Sequence, residues 1–545
     1  MAETIEAVLD AFIANETEES PTSATRLGIP GFDDRLGDFT DTGFLRREGQ
    51  EDEFFERFSA FSDGDLSFDE RIDRDLVLST LRGRKVMRGW AVWRRDPATY
   101  LGPCLSGVFS LFLNRVHPEP ELTASAAARL LEVPGVLDAA RRNLDPSLAA
   151  PLFVERAMGT CRAGVAYART LVPAEVSEDA HRAQLVEAGE VAALAFESFL
   201  EFLEELHGRA AGDWAIGEER YSALLTDKEM LGYGARDMRD RGQAAYDLLS
   251  TEMSQLASRI EPSGGGDWQA LVKQLNQDHP PSPEAMRDEY EAWTARARQF
   301  LHDTGVVSMP RDEVCRVLPS PPFQRPVLAV ASYSAPPMFL PSSTGTFFVP
   351  FPPDGTPDDE VQKRLETNSR HSIPAVSVHE AYPGHHWHLV TVQQRARRIR
   401  KVLGTPYFTE GWGLYAEKLM RENGFFTDPR HELCQLDARI FRAARIVVDT
   451  SLHVGEMTFE EAVTFMSTKA SLSEPTARAE VGRYCSWPTQ AASYLTGALE
   501  IDRIRDRYFA EDLGSLRAFN DTIAGSGMLP IALAERAVMR SAADR

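Results

Sequence analysis

Between Val376 and Trp412, five polar residues have the types and spacing for metal chemistry: His379, Glu380, His385, His386 and Glu410. A zinc hydrolase built on a helix needs two imidazoles converging on one ion, and a carboxylate beside the first to accept a proton from the attacking water. His379 with Glu380 begins that pattern. The second imidazole usually stands four residues on, about one helical turn, but that position is Pro383. His385 and His386 come next, and in a straight helix the seventh residue on lies ~10 Å along the axis, too far to share an ion held at about 2 Å. Pro383-Gly384 is read as a bulge that shortens this separation. His385 is therefore the expected second ligand, with His386 as its substitute. The third is expected from the following helix, where Glu410 and Glu417 share one face but stand two turns apart, so that only one can ligate. Glu410 is preferred because it stands where that helix begins, beside small Gly411 and Gly413.

His379-Glu380-Ala381-Tyr382-Pro383-Gly384-His385-His386, followed by Glu410-Gly411-Trp412-Gly413-Leu414-Tyr415-Ala416-Glu417, resembles the bacterial family known as domain of unknown function 885. The fold of that family is in turn similar to the Taq-type zinc carboxypeptidases, which carry a shorter His-Glu-x-x-His. Aligning Gly-His with Gly-His again favours His385. The resemblance covers most of the chain and is sharp from residue 310 onward. It implies a mainly α, large multi-helix, zincin-like (Taq-carboxypeptidase-like) fold with a small β hairpin beside the active-site helix. Zn2+ would be held by His379, His385 and Glu410, although imidazole and carboxylate also suit Mn2+, Co2+ or Fe2+.

Water attacking an amide builds negative charge on the former carbonyl oxygen, which needs a donor. Two segments offer one: Asp449-Thr450-Ser451-Leu452-His453, and Arg483-Tyr484 followed by Gln490 and Tyr494. Chemistry alone reads Tyr484 and His453 equally as core; the resemblance favours both as oxyanion donors. Arg483 could grip a peptide's terminal carboxylate or pair with Asp449 or Glu480. The chain departs from the family at Thr489, where Gly often follows the Pro, and at Gly413, where Ala is common; neither is expected to touch a ligand.

A plainer account competes. Five histidines (371, 379, 385, 386, 388) could form a polar helix face, and Trp412-Gly413-Leu414-Tyr415-Ala416 could be ordinary core. The two segments in this order and separation favour the metal.

At 545 residues the chain is long enough for one large helical domain or several average ones. Hydrophobic residues at 43% and charged residues at 26% are ordinary globular values, which argues against disorder. No run of eighteen apolar residues occurs, and the N-terminus lacks a basic stretch leading into an apolar one, so a soluble cytoplasmic protein is expected. A net charge of −23 repels phosphate polymers and anionic lipid, so neither nucleic acid nor membrane is an expected partner. The basic cluster Arg395 to Lys401 is read as a solvated outer face. Five scattered cysteines without Cys-x-x-Cys spacing imply reduced thiols.

Residues 1–65 read as an acidic N-terminal arm packed loosely on the body, opening with a short amphipathic helix (Ile5, Val8, Leu9, Phe12). A helical front half spans 66–263. Its long run Gln184 to Gly208 is expected to turn Leu185, Val191, Leu194, Phe196, Phe199, Leu200 and Leu203 inward. Gly264-Gly265-Gly266 is the clearest linker, and 264–545 is the catalytic half, continuous with the front one. There the β signal is Pro326 to Tyr333 and Gly345 to Val349, read as a hairpin whose edge could accept an extended substrate. A helix is expected to start at Ser372-Pro374, carry His379 and run to Lys401.

The expected function is a zinc-dependent peptidase acting on a peptide or small amide in a cleft between the two helical halves. Glu380 serves as base and Tyr484 or His453 as oxyanion donor. The alternative is a non-peptidase amide or ester hydrolase, or a non-catalytic metal-binding protein, and a homodimer is left open.

Overall fold

Where apolar residues recur every three or four positions the chain forms helices, and a computed structural model describes residues 3–322, 324–325 and 330–543 of it. The protein is mainly helical with one small sheet. No helix among the described residues is long and apolar enough to cross a membrane. The five cysteines are free thiols.

Two compact units divide the chain: Met1–Ile216 with Pro337–Pro341, and Gly217–Pro336 with Ser342–Arg545. The division falls at Ile216, not at the glycine run. Gly264 closes a short turn inside the second unit, followed by Gly265 and Gly266 at positive φ.

The first unit corrects the expected loose arm. Helix Ile5–Glu19 buries Val8 and Phe12, and Phe12 meets the edges of Phe54 and Phe58 from helix Asp41–Ser59. Those aromatic contacts build both helices into the unit's core. In helix Asp179–His207, Leu185, Phe196, Phe199 and Leu203 face inward as expected, but Val191 and Leu194 are exposed and Leu200 is half-buried. The apolar stripe is narrower than the sequence suggested.

Three strands form the second unit's sheet, in the order β1 (Val314–Pro319), β3 (Thr344–Val349), β2 (Ser332–Ser334). β3 pairs in parallel with β1, Val314 opposite Thr344, and antiparallel with β2, Tyr333 opposite Phe347. The expected hairpin is therefore the β2–β3 half of a larger sheet, and β3 is its centre. The expected first strand falls partly on residues 326–329, outside the described residues. β1, half-exposed and interrupted by Arg316, lacks the alternation that would have announced it.

The helix expected from Ser372 to Lys401 is three helices: Ile373–Glu380, His385–Arg395 and Arg398–Val402. Ser372 stands at the first helix's N-cap without a side-chain cap bond. In the basic cluster Arg400 is buried, its stem packed on Gly527, so this stretch is not wholly an outer face. Helix Pro406–Glu422 follows and stops at Asn423-Gly424, with Gly424 at φ +85. Gly411 lets it cross helix Gln490–Ala510 at Gly497: a Cβ on Gly411 would lie 2.6 Å from Gly497 Cα. Helix Pro429–Val454 and a capping box at Thr458–Glu461 complete the frame.

Candidate metal centre

The interruption after Glu380 makes the site. Helix Ile373–Glu380 ends, Ala381 to Gly384 turn, and His385 is the first residue of the next helix. His379 and His385 thereby face each other with ring centroids 4.7 Å apart and planes at 87°. The turn is locked from outside: Trp412 Nε1 donates to the Pro383 carbonyl at 2.8 Å. Gly384 has no room for a side chain, since a Cβ would lie 1.9 Å from the His379 carbonyl oxygen.

Glu410, from the second turn of helix Pro406–Glu422, completes the group. Its Oε2 lies 3.7 Å from His379 Nε2 and 3.5 Å from His385 Nε2. Bonds of about 2 Å at tetrahedral angles put neighbouring ligands ~3.3 Å apart, so these three donors fit one zinc-sized ion with little adjustment. One donor atom from each lies within 4.8 Å of the others.

Charge follows geometry. Burial disfavours the His379 cation, but Glu410 and Glu417 outweigh it and hold the imidazole up to about 10. Burial likewise opposes ionisation of Glu410, yet the imidazoles of His385 and His379 keep it well below the ordinary carboxylate range. Glu380 is raised by burial, with the same imidazoles opposing. Among the described residues its carboxylate makes no hydrogen bond or ion pair.

Glu417 and His386 have roles that sequence reasoning did not assign. Glu417 Oε1 lies 2.8 Å from His379 Nδ1, and its Oε2 accepts from Gln435 Nε2 at 3.2 Å. A carboxylate behind a histidine fixes which ring nitrogen faces forward, here Nε2. The seven-residue spacing from Glu410 already held this signal: one face, one carboxylate per ring nitrogen. His386, the substitute ligand, is excluded by its partners, with Nε2 2.9 Å from Glu313 Oε2 and Nδ1 2.8 Å from the Tyr333 hydroxyl. Glu313 also accepts from Tyr382 and, at 2.6 Å, from Arg298, so His386 ties the turn to the sheet.

The remaining candidates lie in a different network. The Tyr484 hydroxyl donates to Glu480 at 2.7 Å and accepts from Arg445 at 3.1 Å, in a side chain 1% exposed. His453 is fully buried with Nε2 3.0 Å from the Tyr484 carbonyl. Both side chains have partners in a buried cross-link, so either would have to exchange one to serve as the expected oxyanion donor. Arg483 is held by Glu480 at 3.0 Å and Gln490 at 3.1 Å. Gly413, expected to touch no ligand, lies flat on His379: a Cβ there would be 2.6 Å from Cε1.

A mainly helical scaffold thus brings two histidines and a glutamate from three helices to one point. The chain belongs to the family described as bacterial protein of unknown function (DUF885), which matches residues 21–538. It is similar to the structure of a candidate lipoprotein of unknown function from Shewanella oneidensis, with TM-score 0.79 and 21% identity, covering 98% of this chain and 99% of that one. A candidate lipoprotein from Colwellia psychrerythraea is similar at TM-score 0.79 and 18% identity, with 99% of each chain covered. At these identities the likeness concerns fold alone. No curated protein matches the chain.

Proposed function

We propose that the chain is a zinc-dependent hydrolase of amide bonds, a peptidase of carboxypeptidase-like or oligopeptidase-like action on a zincin-like, Taq-carboxypeptidase-like scaffold. The observation that carries this reading is the convergence of His379, His385 and Glu410 beside the unengaged carboxylate of Glu380. Zinc bound there supplies a Lewis acid that polarises a carbonyl and acidifies water. Glu380 accepts the proton of the attacking water and passes it to the leaving amine; burial raises its carboxyl and so strengthens it as a base. Glu417 holds His379 in the tautomer that presents Nε2. His386, bound on both nitrogens, cannot close the coordination sphere, which favours catalysis over a purely structural ion.

Arg442 replaces Arg483 as the anchor for a substrate carboxylate. Its charge acts on Glu380 and Glu410, and among the described residues no carboxylate lies within ion-pair distance of it. Its recorded hydrogen bond is to the Ala438 carbonyl, and its Nε has no partner. A half-buried guanidinium left unpaired is suited to an anionic ligand.

The deciding experiment is metal analysis of protein purified without chelator, paired with Glu380→Gln. The variant should keep its metal and lose peptide hydrolysis by ~10²–10⁴-fold; unchanged activity refutes the base. Arg442→Ala should raise KM for peptides with a free C-terminal carboxylate and leave amidated peptides unaffected.

A further inference from the structure

We propose that His371, Asp428 and His431 form a second divalent-cation site, separate from the first and structural in role, with Asp278 fixing the tautomer of His371 from behind. One donor atom from each of the three lies within 4.8 Å of the others, and Asp278 Oδ2 is 3.1 Å from His371 Nε2. The two imidazoles are 5.9 Å apart, centre to centre.

Two buried nitrogens point to a ligand. His371 is 5% exposed, and its Nδ1 has no hydrogen-bond partner. His431 Nδ1 is also buried without one, beneath the edge of Trp293. Buried polar atoms are rarely left this way, and two in adjacent rings suggest a missing shared partner.

The charges around the rings are compatible with an ion. Arg430 pairs with Asp428 at 2.6 Å and Arg370 with Asp278 at 2.8 Å, while Arg296 also acts on His431. Both pairing guanidiniums are nearly half exposed, at 47% and 42% of the side chain. Exposed ion pairs contribute little, so Arg430 can swing into water and release lone pairs of Asp428. Two imidazoles and a carboxylate suit Zn2+ or Co2+ better than Mg2+ or Ca2+.

Position gives the role. His371 immediately precedes the N-cap of the helix carrying His379, Asp428 is the N-cap of helix Pro429–Val454, and His431 lies in that helix's first turn. The same helix carries Gln435, which holds Glu417 behind His379. An ion here staples together the starts of two helices that frame the first centre.

The test is titration of chelator-treated protein with Co2+, following visible absorption, equivalents bound and Tm. Wild type should take up two equivalents, with the second raising Tm. His385→Ala should keep one equivalent and its Tm increment. The double variant His371→Ala, His431→Ala should bind one equivalent and lose the increment, while keeping the hydrolysis that depends on Glu380. No uptake by His385→Ala overturns the second site without any change to its own residues, as does full two-equivalent uptake by the double variant. Failure of the first centre alone would leave uptake intact in His385→Ala.

Discussion

Two triads of the same make-up, two histidines and an acid, lie in the second unit, and their surroundings set them apart. Around His379, His385 and Glu410 no arginine among the described residues pairs with the acid, a carboxylate braces one imidazole from behind, and a second carboxylate stands unengaged beside them. Around His371, Asp428 and His431 the neighbouring carboxylates of Asp428 and Asp278 both carry arginines. Donor identity alone does not separate a catalytic from a structural centre; what engages the second oxygen and the second ring nitrogen does.

The sharpest way to break this contrast is to remove one acid from each triad. Glu410→Ala should abolish metal retention at the first centre and reduce peptide hydrolysis at least ~10³-fold, because three protein ligands are the minimum for such a site. Asp428→Ala should leave hydrolysis within a few-fold and lower only Tm. Equal losses of activity in the two variants, measured as kcat/KM, would erase the distinction.

A third polar cluster, with no metal role, calibrates the others. Asp449 is fully buried, bonded by the Tyr221 hydroxyl at 2.5 Å and by the Thr489 amide at 3.1 Å. Burial raises its carboxyl to about 7, those hydrogen bonds opposing. A folded pKa above the unfolded one means the native state binds the extra proton, so its contribution is present below pH 4 and is lost as pH rises through 7. At about 1.4 kcal/mol per unit, the upper bound on this loss is ~4 kcal/mol. Asp449→Asn should flatten that part of the stability profile, read as unfolding midpoints between pH 4 and 8; an unchanged slope assigns the dependence elsewhere.

Glu417→Gln tests the bracing carboxylate. Loss of its charge behind His379 should weaken metal binding at the first centre ~10–100-fold and leave the second unaffected, by competition with a chromophoric chelator. An effect on both would mean the helix, not the hydrogen bond, was damaged.

How far the sequence foretold these sites depends on the range of the interaction. The first triad was legible because His379, Glu380 and His385 are near neighbours and Glu410 lies near the start of a helix close behind them in the chain. Even so, the expected bulge is a full interruption, held by Trp412 and by Glu313 acting through Tyr382. Tyr484 and His453 were harder to assign because a buried hydroxyl or imidazole has the same residue type whether it faces a substrate or a carbonyl 31 residues away. β1 escaped notice because a parallel edge strand half open to solvent shows no alternation. His371 was counted among the histidines, but nothing local links it to Asp428 and His431, which only the fold brings to its side.

Thr489 offers the finest test, because it separates backbone geometry from side-chain contact. It opens helix Gln490–Ala510 at φ +70, a region that a β-branched residue enters only under strain and where the family's glycine is at ease. The hydrogen bonds recorded for it are backbone ones: its amide donates to Asp449 and its carbonyl accepts from Tyr407 at 3.1 Å. Thr489→Gly keeps both. Relief of ~1–2 kcal/mol of left-handed strain, less ~0.5–1 kcal/mol of added chain entropy in the unfolded state, leaves a gain of about 0.5–1 kcal/mol. It should appear as a higher urea midpoint at unchanged slope, with metal binding at both triads unaltered. A lower midpoint would mean that the threonine side chain itself holds this corner, and that the Asp449 cluster depends on more than the backbone passing through it.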